Sequence, residues 1–354
     1  MDLKLFYQDK KVLVTGHTGF KGAWLTQWLI ELGAEVIGVA LDDTDNTQLF
    51  EELGLINKVK HYHCDINDLG KVKEIFLNHK PDVVFHLAAQ AIVKTSYEDP
   101  IETLKTNVIG TANILESIRN VDSVLSAVLV TSDKCYKNEE KKFGFKESDA
   151  MGVDDPYSAS KACAELVIHS YRHSFFKDSK TKLVSVRAGN ILGGGDWSRD
   201  RIVVDAIRSI QANQPIFLRD PSAVRPWQHV LDATYGYLRA AIYAIDETKE
   251  VVTSWNFGPS EAEVLTVEEL VQLIISNYGK GSYENLGERK YHEANYLKLN
   301  VELAKNKLDW KLLYNNNLIV EKTISWYISY EKGISTDVIT NDQINEYMNM
   351  IQNK

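Results

Sequence analysis

The chain has 354 residues, 44% hydrophobic and 25% charged, the make-up of a soluble globular protein with room for one large domain or two modest ones. A net charge of -9 argues against a general nucleic-acid or membrane-surface role, though not against a local basic pocket for a small anion. Cys64, Cys135 and Cys163 are odd in number and lack metal-ligand spacing, and the first residues carry no apolar signal core. No run of about 20 apolar residues occurs. A soluble, cytoplasmic protein without nucleic-acid, membrane or metal partners is expected.

Residues 11–15, Lys-Val-Leu-Val-Thr, predict a short buried strand. Gly16-His17-Thr18-Gly19-Phe20-Lys21-Gly22 follows, then an apolar run at helical spacing from Ala23 to Ile30. Strand, glycine turn and helix in that order are the setting of a dinucleotide fingerprint. Gly16 permits the tight turn, Gly19 lets the backbone approach a pyrophosphate, and Gly22 lets helix and strand pack closely. The helix N-terminus then faces the phosphates with free N–H groups. The spacing is G-x-x-G-x-x-G rather than G-x-G-x-x-G, and glycine turns are common; the two flanks carry the reading.

Residues 35–41 form the second strand. The place for an acid that holds the adenosine ribose falls at Ala40-Leu41, with Asp42 and Asp43 one or two residues late. No Arg or Lys follows to receive a 2′-phosphate, which favours NAD over NADP.

The alternation continues with a strand at 59–63 ending in Cys64-Asp65-Ile66, a helix at 69–79, and a strand at 82–87 opening into Ala88-Ala89-Gln90. A long helix at 100–120 contains Asn107. A strand at 123–130 leads into Thr131-Ser132-Asp133-Lys134, a helix opens at Pro156, and a strand at 182–186 leads to Arg187-Ala-Gly-Asn190. Such alternation predicts an α/β fold, a doubly wound Rossmann-type parallel sheet with ligands at the carboxyl ends of its strands. Asp65, Ala88, Ser132 and Asn190 all lie just past such ends.

After residue 190 the elements shorten. Arg219 and Arg225 stand beside aromatic and apolar residues, and guanidinium groups suit bidentate phosphate binding, although surface pairing explains isolated arginines as well. The expected division is a dinucleotide-binding domain over 1–190 and a smaller C-terminal α/β substrate-binding lobe over 191–336, with some chain returning to the first domain. Residues 337–354 read as a polar tail.

Pro156 suits the first turn of a helix, and Tyr157 and Lys161, four residues apart, project from one face of it. A phenol has a pKa of about 10, and an ammonium held close favours the phenolate. A lone Tyr-x-x-x-Lys is common by chance; the dinucleotide turn upstream gives this one its weight.

Together these pieces resemble the extended short-chain dehydrogenase/reductase superfamily from about residue 10 to residue 325. The general marks are Gly16-x-x-Gly19-x-x-Gly22, Ala88-Ala89, Ser132 and Tyr157-x-x-x-Lys161. More specific wording, Gly16-His-Thr-Gly-Phe-Lys-Gly22, Thr131-Ser-Asp-Lys-Cys-Tyr136, Arg187-Ala-Gly-Asn190, Gly194-Gly-Asp-Trp197 and Arg225-Pro-Trp-Gln-His-Val230, is similar to the CDP-glucose branch of the nucleotide-sugar dehydratases. Asp133-Lys134 stands where the dTDP-glucose branch carries Asp-Glu and where 4-epimerases have a small or apolar pair.

The resemblance implies NAD as cofactor, held by Gly16, His17, Gly19, Phe20, Lys21 and Gly22, by Asp65, Ile66, Ala88, Ala89, Gln90 and Asn107, and by Tyr157 and Lys161. It implies loss of water from CDP-glucose to give CDP-4-dehydro-6-deoxyglucose, a step of bacterial dideoxyhexose (O-antigen) synthesis. Tyr157 takes the O4 proton, Lys161 lowers the Tyr157 pKa, Ser132 orients O4, Lys134 removes the C5 proton and Asp133 protonates the departing hydroxyl. Asn190, Arg219 and Arg225 are implied for the sugar and diphosphate. A homodimer or dimer of dimers is implied through the helices around 100–120 and 155–176. A nucleotide-sugar 4-epimerase, a dehydratase for another nucleotide hexose, and an inactive cofactor-binding scaffold remain the alternatives.

Overall fold

Six strands, β1 (Lys11–Thr15), β2 (Glu35–Ala40), β3 (Lys60–His63), β4 (Val83–His86), β5 (Ser126–Val130) and β6 (Lys182–Ala188), join a seventh, Ser254–Phe257, in one parallel sheet. The spatial order is Ser254–Phe257, β6, β5, β4, β1, β2, β3. These are findings of a computed structural model that describes residues 2–41, 47–137, 143–152, 154–259, 264–285, 287 and 298–353. Asp42 and Asp43 lie outside the described residues.

Both faces of the sheet are covered, which is why β1, β2, β4 and β5 are near-continuous apolar runs rather than alternating ones, while the edge strand β3, Lys-His-Tyr-His, is polar. Val12 and Val14 of β1, Phe85 of β4 and Val128 of β5 enter one core with the helices Phe20–Glu31, Val230–Ala244 and Asn316–Glu331. Leu13, Val84, Ala127 and Leu129, one residue out of step, enter the other with Leu69–His79, Gly110–Arg119 and Pro156–Phe175. The chain winds outward from β1 to β3 and restarts at β4 on the other side of β1. The crevice beyond the carboxyl ends of β1 and β4 is therefore the topological switch point.

The helix expected over 100–120 is divided into Pro100–Leu104, a π-helical turn Lys105–Ile109 and Gly110–Arg119. The Thr111 hydroxyl donates to the Asn107 carbonyl at 2.7 Å, and a side chain inserted into the ladder favours such a bulge. Past residue 190 three small ladders pair Asn190–Leu192 with Trp227–His229, Val224–Arg225 with Leu265–Thr266, and Ile216–Leu218 with Tyr283–Asn285.

Where a polar tail was expected over 337–354, the chain forms a helix, Thr336–Gln352. It buries Ile339, Ile344 and Tyr347, and the Tyr347 hydroxyl donates to the buried Asp232 at 2.7 Å. Each such side chain contributes about 1.5–3 kcal/mol on burial, enough to fix a helix whose other face is polar.

Candidate active site

At the end of β1 the backbone of Gly16 is left-handed (φ +70), and a Cβ added there would come within 2.7 Å of the Ala88 nitrogen at the end of β4. A Cβ at Gly22 would overlap the Gly16 carbonyl oxygen. Strand, turn and helix are thus in direct backbone contact. Gly19 is the N-cap of Phe20–Glu31 and supplies no side-chain cap, so the first-turn amides of that helix face the crevice without a capping side chain. The described residues therefore fit a pyrophosphate at this turn.

Thr15 Oγ1 accepts from the Ala88 amide at 3.2 Å and bonds His86 Nδ1 at 2.7 Å, which ties β1 to β4. His17 is fully buried; its Nε2 lies 2.9 Å from His61 Nδ1, and its ring packs edge-on against Phe50. Asp65 Oδ1 accepts from the Asn67 amide at 2.9 Å in an Asx turn, and Ile66 is buried beside Gly110. The Gln90 side chain ties its loop to helix Pro100–Leu104, donating to Thr103 Oγ1 at 2.8 Å and accepting from the Ile92 amide at 2.5 Å. Asn107 Oδ1 accepts from the Gln90 amide and its Nδ2 donates to Ser160 Oγ at 2.8 Å, one turn along the helix from Tyr157.

Helix Pro156–Phe175 begins where the sequence predicts. Asp155 caps it, accepting from the Ser158 amide at 2.9 Å, with Pro156 in the first turn. That start presents Tyr157 and Lys161, both buried, to the carboxyl end of β5. There Ser132 caps a one-turn 3-10 helix, Asp133–Cys135, accepting from the Lys134 amide at 3.2 Å and donating to Asp133 Oδ1 at 3.0 Å. The Lys134 Nζ stands 5.9 Å from the centre of the Tyr157 ring. Ser132, Asp133, Lys134, Tyr157 and Lys161 are thus brought together.

The electrostatics differ from the expectation for Tyr157. Burial pushes its phenol up to about 12; the Ser132 hydroxyl and the Arg201 guanidinium pull it down, and Asp133 and Asp155 push it up. Lys161 is not the dominant influence, because burial and then the nearby Lys21 ammonium bring Lys161 itself down to about 7. Burial and then Arg201 bring Lys21 down to about 8, against the pull of Asp133 and Asp196. In the protein alone Tyr157 therefore keeps its proton at neutral pH. Burial also raises the Asp133 carboxyl, against the charge of Lys134, and its Oδ2 is buried without a hydrogen-bond partner among the described residues. A raised carboxyl with one free oxygen is suited to donating a proton.

The arginines are dispersed. Arg225 is near enough to lower the Asp133 carboxyl, whereas Arg219 is 64% exposed at its side chain and pairs with Asp200 at 3.0 Å. Asn190 is half-buried in the short strand beside Trp227. Arg201, which precedes helix Ile202–Gln211, was missed: it acts on both Tyr157 and Lys21, and its Nε is buried without a hydrogen-bond partner among the described residues. Its only sequence signal is that it is one of five arginines between residues 199 and 225, which singles out none of them.

The chain matches the GDP-mannose 4,6 dehydratase family over residues 13–323, and it belongs to that family. It is 42% identical over 351 residues to CDP-glucose 4,6-dehydratase of Salmonella typhimurium, with 98% of each protein covered. The structure of UDP-glucose 4-epimerase from Thermotoga maritima has the same fold, with a TM-score of 0.78 at 24% identity, covering 91% of this chain and 99% of that one. So has dTDP-glucose 4,6-dehydratase from Bacillus anthracis in complex with NAD, with a TM-score of 0.76 at 22% identity, covering 91% and 98%.

Proposed function

We propose that this member of the GDP-mannose 4,6 dehydratase family is a NAD-dependent lyase converting CDP-glucose into CDP-4-dehydro-6-deoxyglucose and water. The observation that carries the reading is the convergence of a buried Asp133, its carboxyl raised by burial, and of Lys134 on the Tyr157/Lys161 pair, since a 4-epimerase needs neither an acid for C6 nor a base for C5. The cytidine nucleotide follows the 42% identical Salmonella typhimurium relative.

The uncapped helix end at Gly19, with Phe20, Lys21 and Gly22, would hold the cofactor diphosphate, while Asp65, Ile66, Ala88, Ala89, Gln90 and Asn107 line its flanks and Lys161 reaches the nicotinamide ribose. NAD held there would supply reversible hydride transfer, out of the sugar C4 and back to its C6. Ser132 orients the O4 hydroxyl and Tyr157 accepts its proton, which requires the phenol to ionise in the occupied site with help from Arg201 and Lys161. The C4 ketone acidifies C5–H, Lys134 removes that proton and later gives a solvent-exchanged one to C5, and Asp133 protonates the C6 hydroxyl as it leaves as water. The O4 proton thus ends in the product water. To reset the site it must pass from Tyr157 to Asp133, and the Ser132 hydroxyl, bonded to Asp133 at 3.0 Å, lies between them. Asn190, Arg219 and Arg225 bind the sugar and diphosphate in this reading.

The same reading places the enzyme in the cytoplasm, in lipopolysaccharide synthesis, as a homodimer. Ile101 and Ile109, on the segment 100–119, and Leu166, on the adjoining helix, are 72%, 53% and 60% exposed, which supports pairing across these helices. Among the described residues no helix is long and apolar enough to cross a membrane. Incubation with NAD and a panel of nucleotide hexoses tests the function. A 4-keto-6-deoxy product from CDP-glucose is expected; an epimeric hexose, or preference for another nucleotide, would overturn it.

A further inference from the structure

Glu165 lies one helical turn beyond Lys161 and two beyond Tyr157, on the same face of Pro156–Phe175. Its side chain and that of Arg187 are each 4% exposed and form a bidentate pair, Nε to Oε1 at 2.9 Å and Nη2 to Oε2 at 2.8 Å. The carboxylate also accepts from Thr131 Oγ1 at 2.5 Å and from Ser185 Oγ at 2.8 Å, which fills its acceptor sites. On its other side Arg187 donates through Nη1 to the Tyr136 hydroxyl at 2.7 Å and lies over the Tyr136 ring at 5.0 Å. The Tyr136 hydroxyl passes its own hydrogen to Asn256 Oδ1 at 2.7 Å.

Thr131 immediately precedes Ser132, and Tyr136 immediately follows the Asp133–Cys135 turn. One buried ion pair, Glu165 on the helix that carries Tyr157 and Lys161 and Arg187 on β6, therefore grips both ends of the segment that carries Ser132, Asp133 and Lys134. We infer that Glu165 and Arg187 are positioning residues for the dehydration, a clamp that sets the acid and base of the elimination in register with the Tyr157/Lys161 pair. The inference rests on the reaction proposed above and adds to it two residues that touch neither sugar nor cofactor.

Fold stability alone does not account for this arrangement. A buried ion pair is a poor stabiliser beside apolar residues of like volume, whereas a bidentate pair fixes distance and angle. A misplacement of about 1 Å in an active site costs on the order of 100-fold in rate, so directional bonds matter more here than net stability. Glu165 also acts through charge: it supports the protonated form of Lys161, which burial and Lys21 oppose.

The test uses the full chain with NAD, in Glu165→Gln, Glu165→Asp and Tyr136→Phe variants. The wild type is assayed first on the nucleotide-hexose panel, so an error in the substrate shows there, and the variants are compared on the hexose it turns over. Glu165→Gln should lower kcat by about 10–100-fold with KM changed less than about twofold, and move the basic limb of the kcat pH profile to lower pH. Glu165→Asp should recover part of kcat and the original limb. If Glu165→Gln does not fold, Tyr136→Phe decides: it keeps the ring over Arg187 and frees only one end of the segment, so kcat should fall about tenfold at constant KM. Unaltered kcat per folded molecule with superimposable pH profiles, or an unaltered Tyr136→Phe where that variant decides, would overturn the clamp.

Discussion

The ammonium nitrogen of Lys134 stands over the ring of Tyr157, 5.9 Å from its centre. One group comes from a strand end and the other from the first turn of a helix, and they are assigned to consecutive proton transfers. Lys134→Ala should therefore slow solvent deuterium exchange at C5 more than loss of hydrogen from C4. Tyr157→Phe should slow both, by about 100- to 10,000-fold, the range for a positioned proton-transfer group. Equal losses at C4 and C5 in Lys134→Ala would remove it as the base.

Asp133 makes a separable prediction. Burial raises its carboxyl above the usual carboxylate range, with Oδ2 unpartnered among the described residues. Asp133→Asn keeps the shape and the bond to Ser132 but has no acidic proton to give. Release of water should fall by about 100-fold or more while C4 hydrogen still exchanges, measured as 6-deoxy product by mass against label loss from C4.

Two buried histidines make stability fall on the acid side. Burial, and then the Lys161 charge, bring His86 down to about 3, and burial, and then Lys322, do the same for His229. Between the unfolded value near 6.5 and the folded value the unfolded chain binds more protons, so stability falls as pH falls through that window. At pH 4 the loss is about 3 kcal/mol for each, a large part of the 5–15 kcal/mol typical of a domain. Urea midpoints should drop steeply from pH 6.5 to pH 4 and stay level between pH 7 and pH 8 as far as these two residues decide.

Gly22→Ala isolates the cofactor turn. Its methyl would overlap the Gly16 carbonyl, so the turn must open, at a cost of about 1–3 kcal/mol. NAD affinity, measured by calorimetry on folded protein, should fall at least about tenfold; unchanged affinity would mean the turn does not hold the diphosphate.

The order of the sheet and the contents of the site were differently legible in the sequence. Buried parallel strands are continuous apolar runs, so Lys11–Thr15 and Ser126–Val130 stand out, and Asp155-Pro156 announces the helix that presents Tyr157. Adjacency along the chain was enough to bring Ser132, Asp133 and Lys134 to one strand end. The helix Thr336–Gln352 was hidden because one apolar stripe, Ile339, Ile344 and Tyr347, runs through an otherwise polar segment. Field effects were hidden as well. An i, i+4 spacing shows that Tyr157 and Lys161 share a face, but not that burial outweighs their attraction, nor that Arg201 and Lys21 arrive from elsewhere in the fold. Arg187 was visible only as a motif letter, since its partner Glu165 is 22 residues away.

The central claim is that the electron pair leaving C4 returns to the same sugar at C6. CDP-glucose carrying deuterium at C4, turned over by the wild-type protein with NAD in ordinary water, tests it by NMR and mass of the product. The label should appear at C6 of the 4-keto-6-deoxy sugar; a C6 methyl without deuterium would contradict the account.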